Sequence, residues 1–194
     1  MIIRHGERPK AIGEGGSTPD DLLELTENGI RESQNLGNKL GESIYGIHTS
    51  PVLRCRQTAE NIAKGSGMNP SSIKTSSILA PEAFSLDGFS ESERQTIAHN
   101  LLLGKAESRL QSLADRAVVE MYDYFKNNTQ NKIANAFISH DWVMSLFLAR
   151  ATQCFELHSW DIWPKFTEYF EIDFEKMLIT YRNESFVVIT QKQA

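Results

Sequence analysis

Two histidines, three arginines and one aspartate carry the side chains in this sequence that are best suited to handling a phosphoryl group. They fall in three short runs: Arg4-His5-Gly6-Glu7-Arg8, Thr49-Ser50-Pro51 with Arg54 close behind, and Ser139-His140-Asp141. A neutral imidazole is a good nucleophile at ordinary pH, because its unperturbed pKa lies near about 6.5. Guanidinium groups are planar and permanently charged, and each can make two parallel bonds to phosphate oxygens. Phosphoryl transfer spreads charge over the equatorial oxygens, so preplaced cations supply most of the stabilisation and no metal is called for. His5, His140 and Asp141 form a donor set that suits zinc, but the flanking arginines would repel the cation.

Each run sits where a strand gives way to a loop or a helix. Met1 to Arg4 reads as a short buried strand, followed by a loop of Gly, Pro, Ser and acidic residues from Pro9 to Asp21. The spacing then predicts a helix over 26–40, with Thr26 as its cap and Ile30, Leu36 and Leu40 on one face. A strand over 45–49 leads into a helix capped by Ser50, with Pro51 in its first turn, running to Lys64. A third strand is expected over 73–79 and an irregular insertion over 80–91. Leu110, Leu113, Ala117, Val118, Met121 and Phe125 recur at helical steps and mark an amphipathic helix over 106–125. A buried strand over 133–139 hands over directly to a helix over 142–151. Strands follow at 167–173, 177–181 and 186–190, the last two joined at Asn183-Glu184. This alternation implies an α/β fold with a mostly parallel sheet and helices on both faces. In such a sheet the carboxyl ends of the strands share one edge, where ligands bind, so the three runs should converge there.

Four segments occur in an order that resembles a known family. They are Arg-His-Gly-Glu-Arg-Pro at 4–9, Leu25-Thr26-Glu27-Asn28-Gly29, Ser50-Pro51-Val52-Leu53-Arg54 with Gln57-Thr58-Ala59-Glu60, and Ser139-His140-Asp141. Together they resemble the histidine phosphatase superfamily, which includes cofactor-dependent phosphoglycerate mutases and histidine acid phosphatases. The likeness spans about residues 1–164. It implies a phosphoglycerate-mutase-like three-layer α/β/α sandwich, with residues 1–194 forming one histidine phosphatase domain. By the same resemblance His5 would become phosphorylated, while Arg4, Arg54 and His140, joined by Arg8, would hold the phosphoryl oxygens. Two carboxylates compete as general acid. Glu82 corresponds to the acid of the small mutase-like members, and Asp141 to the His-Asp pair of the acid phosphatases. Relative to the acid-phosphatase pattern Arg-His-Gly-x-Arg-x-Pro, the proline here comes one place early. The implied activity is metal-independent hydrolysis of phosphomonoesters through phosphohistidine, with a phosphomutase and a silent phospho-ligand-binding domain as alternatives. A mutase must also grip a second acidic group, and the loop after Arg8 offers only Lys10 among Glu14, Asp20 and Asp21.

Bulk properties narrow the classes. The 194 residues suit one domain with a sizeable core, and 40% hydrophobic with 23% charged residues is ordinary globular usage. A net charge of −5 argues against a broad nucleic-acid surface. No run reads as a membrane span, and Met1-Ile2-Ile3-Arg4 is not a signal-peptide start, so the expected location is cytoplasmic. A chain that opens directly on a strand is also what removal of a leader leaves. Cys55 and Cys154 lack metal spacing and are expected as free thiols. No cofactor is implied, and the expected partner is a small phosphorylated substrate, with specificity set by the 9–24 loop and the 80–105 insertion. Trp142, Phe147, Trp160, Trp163 and Phe166 read as core and pocket wall. Oligomeric state has no signature.

Overall fold

In the computed structural model, residues 1–84, 91–129, 134–154 and 163–189 are described. Strand β1 (Ile2–Arg4) shows how the sequence builds layers. Its side chains alternate across the sheet, so Ile2 packs into one hydrophobic cluster and Ile3 into another on the opposite face. Neighbouring β4 (Ala134–Ser139) does the same, sending Phe137 to the first cluster and Ala136 and Ile138 to the second.

The sheet has the order β3-β2-β4-β1-β5-β6-β7. Here β2 is Ile44–Thr49, β3 Lys74–Thr75, β5 Tyr169–Asp173, β6 Leu178–Tyr181 and β7 Glu184–Val187. The pairings β3-β2, β2-β4 and β4-β1 are parallel, whereas β1-β5, β5-β6 and β6-β7 are antiparallel. The sheet is therefore mixed rather than mostly parallel. The cause is connection length: tight turns can join only antiparallel neighbours, and the last strands carry no helix between them. Arg182 and Asn183, both at positive φ, make the turn between β6 and β7, one residue earlier than the sequence suggested.

Helices α1 (Glu27–Leu40) and α2 (Leu53–Ser66) cover one face through Leu36, Leu40, Cys55, Ala59, Ile62 and Ala63. Helices α3 (Glu91–Leu102), α4 (Ser108–Asn127) and α5 (Asp141–Thr152) cover the other, where Phe125, Phe137 and Phe147 meet. The three-layer α/β/α arrangement expected from the resemblance is present. Close packing of α1 on α2 depends on glycine, since a Cβ at Gly37 would lie 2.3 Å from the Ile62 carbonyl oxygen.

Several elements depart from expectation. Thr26 caps α1 as foreseen, accepting from the Gly29 N–H, but Ile30 is 38% exposed and does not join the buried face. Helix α2 begins at Leu53 and has no side-chain cap. The expected strand over 73–79 keeps two residues as β3 and then becomes a 3-10 turn over Ser77–Leu79. Of the insertion, a 3-10 turn over Pro81–Phe84 is described, and α3 follows where no helix was expected.

Candidate active site

Strands β2, β4 and β1 lie side by side, and their carboxyl ends deliver the three runs to one place. Arg4 is in register with Ser139, and Thr49 with Ile138. The backbone pairing continues past the strands, with the His5 N–H donating to the Ser139 carbonyl and the Ser50 N–H to that of Ile138, each at 3.0 Å. Beneath this edge sits Gly6, whose N–H donates to Thr58 Oγ1 at 2.9 Å. A Cβ there would lie 2.9 Å from the Gly29 carbonyl oxygen, so only glycine lets the loop rest on α1. Glu7 orients rather than reacts: its Oε2 accepts from the Thr26 hydroxyl at 2.7 Å and its backbone carbonyl from the Thr26 N–H at 2.9 Å.

His5, Arg54 and His140 are nearly sealed from solvent, at 2%, 5% and 1% exposure. Arg54 lies between the two imidazoles. Its Nε donates to His5 Nε2 at 3.1 Å and its Nη2 to His140 Nδ1 at 3.0 Å, while the rings stand edge to face 5.5 Å apart. These partners fix the tautomers. His5 Nδ1 lies 2.8 Å from the Gly6 carbonyl, which can only accept, so Nδ1 carries the proton and Nε2 bears the lone pair. His140 Nδ1 likewise accepts from Arg54, leaving Nε2 to face the Ser50 hydroxyl at 3.0 Å and the Cys55 Sγ at 3.5 Å. Ser50 Oγ thus meets His140 and accepts from the Val52 N–H, and it lies two residues before Val52, the N-cap position of α2. Burial, reinforced by the Arg54 charge, pushes both histidine pKa values well below the ordinary imidazole value. Both rings are neutral near pH 7.

The remaining predicted residues surround this triad. Arg4 pairs with Asp141, Nη2 to Oδ2 at 2.6 Å, and donates through Nη1 to the Pro164 carbonyl at 2.7 Å. Its guanidinium lies 4.1 Å above the Phe166 ring, which itself stands 5.7 Å from the His5 ring. Asp141 is the first residue of α5, and its Oδ1 accepts from the Trp142 N–H at 2.7 Å. Arg8 reaches Glu14 at 2.9 Å and Asp20 Oδ1 at 3.1 Å. Among the described residues, the Nε atoms of Arg4 and Arg8 are buried without a hydrogen-bond partner. Glu82 is exposed, in the turn over Pro81–Phe84, with no bond to His5, Arg54 or His140 among the described residues.

Of the aromatic set, Phe147 is fully buried in the core, Trp142 packs on Phe84 at 5.5 Å, and Trp163 is half-buried against the same cluster. Trp160 lies outside the described residues. Cys55 and Cys154 are free thiols, as expected. Cys55 is completely buried, and burial pushes its thiol up to about 12. Asp20 went unrecognised in the sequence: it faces both Arg8 and Arg54, and nothing in a Gly- and Ser-rich loop distinguishes it from its neighbour Asp21. No helix among the described residues is long and apolar enough to cross a membrane.

Comparison with known proteins agrees with this arrangement. Residues 1–80 match the family model of the histidine phosphatase superfamily (branch 1). Functionally curated proteins give no sequence match. Among solved structures, the protein histidine phosphatase SixA complexed with tungstate is 20% identical, with a TM-score of 0.52 over 96% of this chain and 94% of that one. A mutant phosphoserine phosphatase from Entamoeba histolytica in complex with phosphoserine is 15% identical, with a TM-score of 0.59 over 98% of this chain and 95% of its own. A mycobacterial glucosyl-3-phosphoglycerate phosphatase is 16% identical, with a TM-score of 0.51 over 78% of each chain. At these identities the structural likeness speaks for the fold. The chain thus resembles the histidine phosphatase superfamily in sequence over its first 80 residues, and it has the phosphoglycerate-mutase-like fold of phosphatases in that superfamily.

Proposed function

We propose that this protein hydrolyses small phosphomonoesters through a phosphohistidine formed on His5, without a metal. One observation carries the reading: the unprotonated Nε2 of a buried imidazole lies 3.1 Å from a buried guanidinium nitrogen. When Arg54 Nε turns from it to a phosphoryl oxygen, that lone pair is released and attacks phosphorus, and the bond to the ester oxygen breaks. The leaving oxygen takes a proton from a carboxylic acid, for which Asp141 is the better candidate because it pairs with Arg4 beside His5. Water then attacks the phosphohistidine, giving a proton back to the same carboxylate; the N–P bond breaks, and orthophosphate leaves with the imidazole lone pair restored.

Arg4, Arg8 and Arg54 meet the charge on the phosphoryl oxygens. His140 supports them by accepting from Arg54 Nη2 at its Nδ1, which holds that guanidinium in place. An anion arriving on Arg4 competes for the guanidinium that pairs with Asp141. Hydrolysis is favoured over mutase chemistry by the loop, which turns Glu14 and Asp20 toward the arginines and so offers no grip for a second acidic group. The phosphorylated ligands of the neighbours, phosphoserine in one and 3-phosphoglyceric acid in another, support a small metabolite as substrate.

The test is hydrolysis of p-nitrophenyl phosphate in the presence of a chelator. Vanadate should inhibit it, an alkaline denaturing quench should trap a phosphoryl label that is stable in base and lost in acid, and His5→Ala should lower kcat by about a thousandfold or more. Unchanged turnover in His5→Ala would remove the proposal.

A further inference from the structure

Every donor nitrogen of Arg54 is already engaged, and half of this work is done by one residue of the 9–24 loop. Besides its bonds to the two imidazoles, Arg54 donates through Nη1 to the Asp20 carbonyl at 2.7 Å and through Nη2 to Asp20 Oδ2 at 2.8 Å. The other carboxylate oxygen, Oδ1, lies 3.1 Å from Arg8 Nη2. Asp20 thus spans two arginines with one oxygen on each, as two oxygens of a phosphoryl group would. The contacts are unequal in burial: the arginine side chains are 14% and 6% exposed, whereas that of Asp20 is 48% exposed. A buried guanidinium needs a counter-charge, and a half-exposed loop carboxylate supplies one at modest cost in displacement.

We propose that Asp20 is an internal competitor for the phosphoryl site, displaced when substrate binds and returning to expel orthophosphate. This inference rests on the phosphatase reading above and names the residue that sets substrate affinity and product release. Asp20 forms no bond to the reacting atoms. A phosphomonoester carries about −1.5 to −2 charges near neutrality, against a single charge on the carboxylate, and so can displace it. Asp21 and Asp20 are both exposed, but among the described residues the ion pairs of Arg8 and Arg54 are with Glu14 and Asp20, which makes Asp21 the internal control.

Titration calorimetry with orthophosphate reads the competition directly, without turnover. Asp20→Ala and the near-isosteric Asp20→Asn should both bind orthophosphate roughly threefold to thirtyfold more tightly than wild type. Product inhibition should strengthen in parallel, KM should fall, and Asp21→Asn should match wild type. If Asp20 instead positions Arg54, both Asp20 variants will bind orthophosphate equally or more weakly, and the competitor idea is overturned. In that case Arg54→Ala should still abolish binding, leaving the phosphoryl site intact as a reading. Absence of orthophosphate binding in wild type and all variants would overturn both.

Discussion

At the scale of single residues, the site is an exercise in keeping imidazoles neutral beside a permanent cation. Arg54 donates to both rings, so neither can hold a second proton without facing that charge at hydrogen-bond distance. The proton needed by the leaving group must therefore come from elsewhere, and Asp141 is tied to Arg4 at 2.6 Å. Asp141→Asn should lower kcat on an alkyl phosphate by about a hundredfold, yet much less on p-nitrophenyl phosphate, whose leaving group departs without protonation. Glu82→Gln should leave both rates unchanged. Equal losses on the two substrates for Asp141→Asn would assign the aspartate to binding alone. His5, Arg54 and His140 were legible in the sequence because each follows a strand within a recurrent motif. Asp20 was not, since its partner is set by the path of a loop that carries no periodic pattern.

Elements bring these residues together through close backbone contact rather than through large side chains. Helix α1 presses on the loop after β1 so closely that a Cβ at Gly29 would lie 2.3 Å from the Glu7 carbonyl oxygen. Gly29→Ala should push the His5-Gly6-Glu7 loop outward, costing about 2–4 kcal/mol of stability and most of the activity. Asn35→Ala, on the exposed side of the same helix, should cost neither. Urea midpoints and p-nitrophenyl phosphate rates check both variants, and a normal rate in Gly29→Ala would show that the loop adapts. Strongly periodic elements such as α1 and α4 could be read from apolar spacing. Helix α3 could not, because its buried Leu101 and Leu102 cluster at one end and leave the first two turns without a stripe. Strand β3 is a two-residue strand that, among the described residues, pairs with β2 alone, and it is too short to register as alternation.

Over the whole molecule, burial of imidazoles makes stability depend on pH. His5, His48 and His140 are all buried, and their pKa values are lowered chiefly by desolvation, that of His48 to about 4. In the unfolded chain each would titrate near about 6.5, so acid favours the unfolded state below that value. Stability should fall steadily from about pH 6.5 toward pH 5, before most carboxylates begin to protonate. Denaturant midpoints across this window check the slope, and His48→Gln, which replaces the partner of the Tyr124 hydroxyl, should make it shallower. An unchanged slope would place the proton uptake elsewhere. The layered fold and the last hairpin were predictable from the sequence, but the antiparallel pairing of β1 with β5 was not, because β5 follows a helix and the alternating pattern implies a parallel neighbour there. The sealed thiol behind His140 has a last consequence. With its proton held and its sulfur shut away from water, Cys55 is out of reach of peroxide and alkylating agents, which act on exposed thiolates. On the proposed mechanism the nucleophile is an imidazole, so peroxide that oxidises a catalytic thiolate finds no such group at this position.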